Sequence, residues 1–392
     1  MSEPLYLYFE GLNDPLRLVG CEHLIEHFSV LFPEWNYFVG KSHETPIISV
    51  EYQLEKYRLS TSWPSEAKCY VDEVDILCAL IAKLLTAQSF NDSESLYLHA
   101  ASVVINGRLI VFPSQYRAGK SFLTACMSAA GYLYFCDDVF PLALDKCKGR
   151  SPGIAPRLRM PIPDTTDAKS KHYIESHIAL CGERYAYLDI DTKLRVARNE
   201  LIDIGAFVLL DRRDGVCAQL EELPAAVILQ QLIKQNFSRE IEGSLILSVL
   251  SKAISQAQCI KISYDRADDA IRLLQEHFSS WPSPSEAFEL TSNTVELQGG
   301  KADNCFVQKE GVQKISIEGE SFLVSPDEKG VYHLDLIGSG IWELLVEQTS
   351  QDTIVSILTA AFPQIKSATI EKDVTTIISN LWLKNLIGAS AV

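Results

Sequence analysis

The amino-acid sequence predicts an α/β domain followed by a small α+β domain, and three features support this prediction. First, an apolar hairpin, a loop ending in Gly119–Ser121, a helix and another apolar strand follow one another between residues 101 and 136. Second, residues 281–304 are rich in Ser, Pro, Gly and Asn, as is typical of a linker. Third, residues 305–392 contain short strand patterns followed by helical patterns. A chain of 392 residues is long enough for two or three domains.

The composition disfavours several classes of protein. Hydrophobic residues make up 47% of the chain and charged residues 22%, which is the balance of a globular protein. A formal net charge of −16 opposes binding to nucleic acid and to anionic lipid, so neither is an expected partner. The N-terminus lacks the features of a signal peptide, and no segment approaches the roughly 18 apolar residues of a membrane helix. With ten cysteines and no C-x-x-C pair, we expect a cytoplasmic protein with reduced thiols and no structural zinc site.

The first part of the chain is predicted to be an α/β lead-in. Within residues 1–90, Glu73–Gln88 carries apolar side chains at helical spacing. The strands Ala101–Ile105 and Arg108–Phe112 then flank Asn106-Gly107. Because this dipeptide accepts a positive φ at both turn positions, it predicts a tight β-hairpin.

The segment from Ser114 to Ser121 approaches the phosphate-loop pattern G-x-x-x-x-G-K-[ST], with Ser114 in place of the first glycine. Lys120 would provide positive charge for the phosphates, and the Ser121 hydroxyl would bind Mg²⁺. If the first position needs a positive φ, a serine there costs about 1 kcal/mol or more. The alternative is an ordinary helix N-terminus with a surface lysine. The residues predicted to bind nucleotide are Ser114, Gln115, Tyr116, Arg117, Ala118, Gly119, Lys120, Ser121 and Phe122.

Two adjacent carboxylates follow the next strand. Asp137 and Asp138 come after the apolar run Tyr132–Cys136, which a strand–helix–strand order predicts to be parallel to Arg108–Phe112. The carboxyl ends of parallel strands share one sheet edge, where ligands bind in α/β proteins. One carboxylate would take a proton from an attacking hydroxyl, and the other would hold a metal ion. The alternative is a surface turn, and a lone histidine such as His99 is more often structural than catalytic.

These motifs together resemble the HPr serine kinase/phosphorylase family, and more closely its relatives in peptide-modifying gene clusters. The likeness covers roughly residues 90–165 and weakens towards 278. It implies an α/β P-loop domain of HPr-kinase type that uses ATP and Mg²⁺. It also implies that Asp137 is the general base, that Asp138 assists it and binds the metal with Ser121, and that His99 and Lys120 lie at the active site.

The sequence departs from that family at two places. The first glycine of the phosphate loop is absent, and so is the later glycine-rich motif with a metal-binding glutamate. The segment Gly153–Pro161 stands there instead, and its Arg157 and Arg159 are candidates to contact phosphate or substrate. These departures bear on catalysis more than on the fold.

The tail has a likeness of its own. The run Leu334–Trp342, followed by further helices, resembles PqqD, the peptide chaperone of pyrroloquinoline quinone biosynthesis. The resemblance implies a small α+β, winged-helix-like domain that binds the leader of a precursor peptide as an added strand. The alternative for the apolar members of the site is that they form the domain's own core. The implied peptide-binding residues are Val331, Tyr332, His333 and Leu334 on the receiving strand, with Val374, Ile377, Ile378 and Trp382 lining a groove.

The predicted domains are a lead-in at 1–90, a nucleotide-binding domain at 91–280, a linker at 281–304 and a leader-recognition domain at 305–392. Together they predict an ATP-dependent kinase that phosphorylates a Ser or Thr of a ribosomally made precursor peptide. One alternative is a pseudokinase that binds nucleotide and leader and presents the peptide to another modifying enzyme. A regulatory kinase of a carrier protein is a third hypothesis, which the PqqD-like tail disfavours. The oligomeric state stays open.

Overall fold

The computed structural model describes residues 3–41, 45–62, 65–114, 118–238, 241–281 and 305–389. The chain divides into two compact units. The first comprises Met1–Leu223, Lys234–Glu240 and Gln256–Ser285; the second comprises Pro224–Ile233, Ile241–Ser255 and Glu286–Val392. Two segments assigned from sequence to the nucleotide-binding domain therefore group with the tail. The predicted linker lies outside the described residues except for Trp281.

The lead-in folds as an antiparallel-rich sheet with one long helix. Its elements are β1 (Leu5–Phe9), β2 (Leu16–Val19), a 3₁₀ turn (Glu22–His27), α1 (Phe28–Leu31), β3 (Tyr37–Gly40), β4 (Ile48–Gln53), β5 (Lys56–Thr61), β6 (Glu66–Tyr70) and α2 (Glu73–Asn91). The strand order is β3-β1-β2-β4-β5-β6. Helix α2 begins after Asp72, whose side chain accepts a hydrogen bond from the Asp75 amide. It buries Leu77, Leu80 and Leu84 in the core that it shares with the sheet, which confirms the predicted helix.

The central part of the first unit is a mixed sheet with helices. The strands of this sheet are β7 (Ser95–Leu98), β8 (Ala101–Ile105), β9 (Arg108–Phe112), β10 (Leu133–Cys136), β11 (Phe140–Ala143), β12 (Lys148–Arg150), β16 (Leu201–Arg212), β17 (Gln219–Glu222) and β18 (Gln258–Tyr264), whereas β13 (Arg157–Arg159), β14 (Ile178–Cys181) and β15 (Tyr185–Leu188) form a separate antiparallel sheet. The helices between and after them in the chain are α3 (Lys120–Ala129), α4 (Ala168–His177), a 3₁₀ turn (Thr192–Leu194), α5 (Ala225–Gln235), α6 (Gly243–Ser255) and α7 (Ala267–His277), of which α5 and α6 group with the second unit.

Strand direction brings the phosphate loop and the acid pair to one sheet edge. The predicted hairpin joins β8 to β9, with Asn106 and Gly107 at φ of 47° and 78°. The local strand order is β10-β8-β9-β16, and β8 runs antiparallel to both neighbours. Strands β9 and β10 therefore run in the same direction, as predicted, but β8 separates them. Val103, Ile110 and Leu123 lie in the core under helix α3.

The tail is an α+β arrangement. Its elements are β19 (Cys305–Gln308), β20 (Gln313–Ile317), β21 (Glu320–Val324), β22 (Val331–Leu334), α8 (Leu336–Leu344), β23 (Thr349–Ser350), α9 (Gln351–Ala361), α10 (Ser367–Leu383) and β24 (Ile387–Ala389). Strands β20, β21 and β22 form an antiparallel sheet, whereas β19 pairs with β23 and β24. Leu323 of β21 packs with Trp342 of α8 and Val374 of α10 in a buried core. The strands and helices predicted for the tail are confirmed.

Helices α5 and α6 are bound to the tail sheet by their N-terminal ends. The Ser244 amide donates to Glu328 Oε2 at 2.9 Å, and the Ala226 amide donates to Glu318 Oε2 at 3.2 Å. A carboxylate placed there satisfies a free helical N–H group and interacts favourably with the helix dipole. Gln230 of α5 also forms a hydrogen bond with His333 of β22, Nε2 to Nδ1 at 2.9 Å. These contacts explain why both helices group with the tail.

Within the described ranges, no helix is both long enough and apolar enough to cross a lipid bilayer.

Candidate active site

The helix that follows the phosphate loop begins at a glycine that the backbone requires. Gly119 adopts the left-handed conformation at φ 90°, and α3 starts at the next residue, Lys120. This conformation is costly for residues with a Cβ, so the glycine allows the chain to turn into the helix. The first-turn N–H groups of a helix have no acceptor within that helix, and such groups commonly bind anions. Gln115, Tyr116 and Arg117 lie outside the described residues.

Ser114 fits at the first position of the phosphate loop without the backbone strain that the sequence suggested. Its φ is not positive, so the backbone cost considered from the sequence does not arise. The side chain is buried, and its Oγ accepts a hydrogen bond from the Leu210 amide in β16 at 2.8 Å. The serine therefore joins the start of the phosphate loop to the neighbouring strand, which a glycine could not do.

Lys120 is buried at the centre of the site. Its side chain is 6% exposed, and Nζ donates to the Ser114 carbonyl oxygen at 2.8 Å. Nζ also lies 3.2 Å from His99 Nε2. Burial lowers the pKa of Lys120, and the negative charges of Asp138 and Asp137 act in the opposite direction. The predicted lysine and histidine are therefore brought together.

His99 connects Lys120 to the acid pair. Its Nδ1 lies 3.2 Å from Asp138 Oδ1. Burial lowers the pKa of His99, although the charge of Asp138 partly opposes this effect. An ammonium group can only donate hydrogen bonds, so Nε2 must accept and the ring proton belongs on Nδ1, facing the carboxylate. Neutral His99 thus holds Asp138 in a fixed orientation.

The two aspartates have opposite environments. Asp137 is 5% exposed; its Oδ1 accepts from the Tyr134 hydroxyl at 3.1 Å and its Oδ2 from the Arg157 amide at 2.9 Å. Burial, reinforced by the charge of Asp138, raises the pKa of Asp137 to about 6. Asp138 has a half-buried side chain, and its Oδ2 accepts from Arg157 Nη2 at 2.9 Å.

The cavity beside the phosphate loop includes only one of these aspartates. It measures about 560 Å³ and contains Lys120, Ser121 and Asp138 among its lining residues, but not Asp137. Asp138, and not the predicted base Asp137, therefore lines the cavity that contains Lys120 and Ser121. The lining residues are His99, Ala118, Gly119, Lys120, Ser121, Phe122, Asp138, Arg157, Arg159, Met160, Pro161, Pro163 and Tyr185.

Arg157 and Cys78 form contacts at the site, although neither was among the residues that the sequence assigned to catalysis or binding. Arg157 Nη1 donates to Cys78 Sγ at 2.6 Å, and its guanidinium lies 5.0 Å from the centre of the Tyr185 ring. The sequence marked Arg157 only as a candidate in the segment that replaces the family's glycine-rich motif. Nothing in the sequence indicated a role for Cys78, because it lies on α2, and α2 comes close to Arg157 of β13 only in the folded structure.

The site fits a magnesium-bound nucleotide in the chemistry of its donors. Mg²⁺ is usually held by one or two carboxylates or hydroxyls together with substrate phosphates and water. Ser121 and Asp138 supply one hydroxyl and one carboxylate to the same cavity. Among the described residues, no group of three or more His, Cys, Asp or Glu side chains could hold a metal on its own.

The residues predicted to bind the peptide divide into two groups. Val331, Tyr332, His333 and Leu334 form β22, the partly exposed strand at one end of the β20-β21-β22 sheet. Trp382 is 47% exposed and Ile377 is partly buried, so both are open to a ligand. Val374 and Ile378 are 1% and 3% exposed and belong to the core, so their predicted place in the groove is corrected.

Comparison with known proteins gives matches for both parts of the chain. The family model "Coenzyme PQQ synthesis protein D (PqqD)" matches residues 320–387. The solved structure of TbiB1 in complex with the TbiA(beta) leader peptide is 27% identical, covering 22% of this chain and 99% of that one, with a TM-score of 0.20. The HPr(Ser) kinase/phosphatase from Coxiella burnetii is 14% identical, covering 47% of this chain and 96% of that one, with a TM-score of 0.25. No curated relative matches this sequence.

The family match supports the resemblance to PqqD that the sequence of the tail shows. It spans strands β21 and β22, helices α8 to α10 and the start of β24. Residues 320–387 therefore match the PqqD family model, as the sequence of the tail predicted.

Proposed function

We propose that this protein is an ATP-dependent kinase that phosphorylates a Ser or Thr hydroxyl of a ribosomally made precursor peptide. The observation that carries the proposal is the position of Asp138. Its carboxylate is oriented by His99 and lines the same cavity as Lys120 and Ser121. This places a proton acceptor beside a site with the charge and N–H donors suited to phosphate.

The nucleotide would be held by the start of α3. Lys120 and the first-turn N–H groups would bind phosphate oxygens, with the guanidinium of Arg159 at the edge of the same cavity. The Ser121 hydroxyl would hold Mg²⁺ together with phosphate oxygens and water, and the ion would neutralise the negative charge that develops on the phosphates.

Phosphoryl transfer at this site requires one base. Asp138 would take the proton from the acceptor hydroxyl as its oxygen forms a bond to the γ-phosphorus. The bond between that phosphorus and the β–γ bridging oxygen breaks, and ADP leaves. Asp137 has a structural role here, because its oxygens hold Tyr134 and the backbone of Arg157.

The leader of the peptide would bind to the second unit. Strand β22 would receive it by β-augmentation, with backbone hydrogen bonds for affinity and side chains such as Trp382 for selectivity. The match of residues 320–387 to PqqD supports this assignment. Holding the leader raises the effective concentration of the rest of the peptide at the active site.

The experiment uses radiolabelled ATP, the 392-residue chain and a candidate precursor peptide that contains a leader and a Ser or Thr residue. We expect label on the peptide with the wild type, and a loss of at least about 10²-fold with Lys120→Met, which keeps the aliphatic stem but removes the charge. Equal, background-level labelling by both proteins with intact leader binding would refute the kinase and favour the adaptor that presents the peptide to another enzyme.

A further inference from the structure

A second cavity lies within the first unit, on the other side of the acid pair. It measures about 560 Å³, within the range of roughly 300–1,000 Å³ found for ligand sites. One wall is helix α2, through Ala82 and Leu85, and another contains Val139 and Ile154. The remaining walls are also mostly apolar. Nothing in the phosphate chemistry above uses this space.

The two cavities share a boundary. Asp138 and Arg157 line both of them, whereas Lys120 lines only the phosphate side and Ala82 only the apolar side. A base that transfers a proton during phosphoryl transfer must contact the acceptor hydroxyl, with the phosphate on the far side of that oxygen. The apolar cavity therefore lies where an acceptor residue can reach Asp138 from the side away from Lys120.

The charged residues that line this cavity favour some side chains of an acceptor peptide over others. Asp137 and Asp138 both line it, and the guanidinium of Arg157 is already engaged by Asp138 and Cys78. Among the described residues that line the cavity, Arg157 is the one cation and it is already paired, so an acidic side chain placed here would lose hydration and meet like charge. An aliphatic or aromatic side chain would instead bury its surface against α2 and the opposite wall.

We propose that this cavity is the acceptor pocket, and that it binds a bulky apolar side chain next to the hydroxyl residue that is phosphorylated. The proposal deepens the function proposed above and rests on it. It assigns the substrate class as a peptide with Ser or Thr beside a residue such as Leu, Ile or Phe, and it predicts rejection of an acidic neighbour.

Ala82 provides a way to fill the pocket without disturbing the core. It lies exposed on α2 and lines the cavity, so Ala82→Phe would place a ring in the pocket. Thr86→Phe does the same one turn further along the helix. Lys83→Phe is the matched control, because Lys83 is on the same helix, pairs with Glu66 and does not line the cavity.

The probes are N-acetyl-Ser-Leu-amide and N-acetyl-Ser-Asp-amide, added to the full-length chain. Phosphate transfer is measured with radiolabelled ATP, and binding by saturation-transfer NMR with ADP and Mg²⁺ present. We expect kcat/KM for the Ser-Leu probe to exceed that for Ser-Asp by about tenfold or more. Ala82→Phe and Thr86→Phe should abolish that preference, whereas Lys83→Phe should keep it.

The outcomes separate this inference from the kinase proposal. Equal use of both probes, or an unchanged Leu preference in both pocket variants, overturns the acceptor pocket while leaving phosphoryl transfer intact. If the wild type transfers no phosphate either to these probes or to a leader-bearing precursor peptide, the kinase proposal fails. In that case, NMR binding of Ser-Leu that is lost in Ala82→Phe and kept in Lys83→Phe would still support the pocket, and absence of binding would refute it.

Discussion

His99 Nδ1 lies 3.2 Å from Asp138 Oδ1, while the opposite ring nitrogen lies 3.2 Å from Lys120 Nζ. One imidazole thus joins the phosphate-loop lysine to the carboxylate that we assign as the base. Since burial keeps the pKa of His99 below its usual value, the neutral ring persists at physiological pH and preserves this hydrogen-bonding order.

His99 should act as a positioning residue for the base. His99→Ala removes the donor to Asp138 Oδ1, and a base that is misplaced by about 1 Å can lose up to roughly 10²-fold in rate. We expect kcat for peptide phosphorylation to fall while KM for ATP changes little. His99→Asn, which can still donate to a carboxylate, should recover part of the rate. A rise in KM for ATP with unchanged kcat would instead make His99 a nucleotide-binding residue.

Asp137 should make stability depend on pH. Its folded-state pKa, about 6, is above its ordinary value of 3.8, so protonation favours the folded state. That contribution is fully present below about pH 4, and about 2–3 kcal/mol is lost as the pH rises through 6. Asp137→Asn carries no charge, and its amide can accept from the Arg157 N–H and donate to the Tyr134 hydroxyl oxygen, so its urea-unfolding free energy should lack this decline. An identical pH profile in both proteins would contradict the assignment.

Restoring the missing glycine of the phosphate loop should destabilise the protein. Ser114→Gly removes the acceptor of the buried Leu210 amide, and an unsatisfied buried donor costs about 1–3 kcal/mol. Ser114→Ala isolates the loss of the hydroxyl from the added backbone freedom of glycine. Denaturant unfolding should show both variants weakened, with Ser114→Gly weakened more. A stabilised Ser114→Gly would mean that the serine is strained.

Glu328 should stabilise the start of α6 in the second unit. Glu328→Ala removes the acceptor of the Ser244 amide, and loss of such a helix-terminal acceptor costs about 0.5–2 kcal/mol. Amide hydrogen exchange in the first turn of α6 should therefore accelerate. Glu328→Gln retains an acceptor oxygen and should exchange more slowly than the alanine variant. Unchanged protection in Glu328→Ala would show that packing alone holds this turn.

Much of the fold followed from local sequence signals. The Asn106-Gly107 turn and the Gly119 start of α3 depend on backbone preferences that a single dipeptide or glycine reveals. The strands and helices of the tail likewise follow from their apolar spacing. The insertion of β8 between β9 and β10 depends on pairing between residues distant in sequence, so the order strand–loop–helix–strand could not reveal it.

For a related reason, the sequence could not show which of the two aspartates, Asp137 or Asp138, lines the cavity beside the phosphate loop. Adjacent residues after a strand point in different directions, and the tertiary partners determine which one faces the cavity. The amide of Arg157 engages Asp137 and its guanidinium engages Asp138, from a strand 19 to 20 positions later in the chain. Similarly, the grouping of α5 and α6 with the tail depends on Glu318 and Glu328, which no local pattern connects to those helices.

The central claim is that Asp138, and not its neighbour, accepts the proton of the acceptor hydroxyl. The most direct measurement is the single-turnover rate of peptide phosphorylation by Asp138→Asn and Asp137→Asn, with nucleotide affinity measured for each. We predict that Asp138→Asn loses about 10²-fold or more in rate, as expected for removal of a general base, while Asp137→Asn stays within about tenfold of the wild type. A rate that collapses in Asp137→Asn and survives in Asp138→Asn would contradict the account.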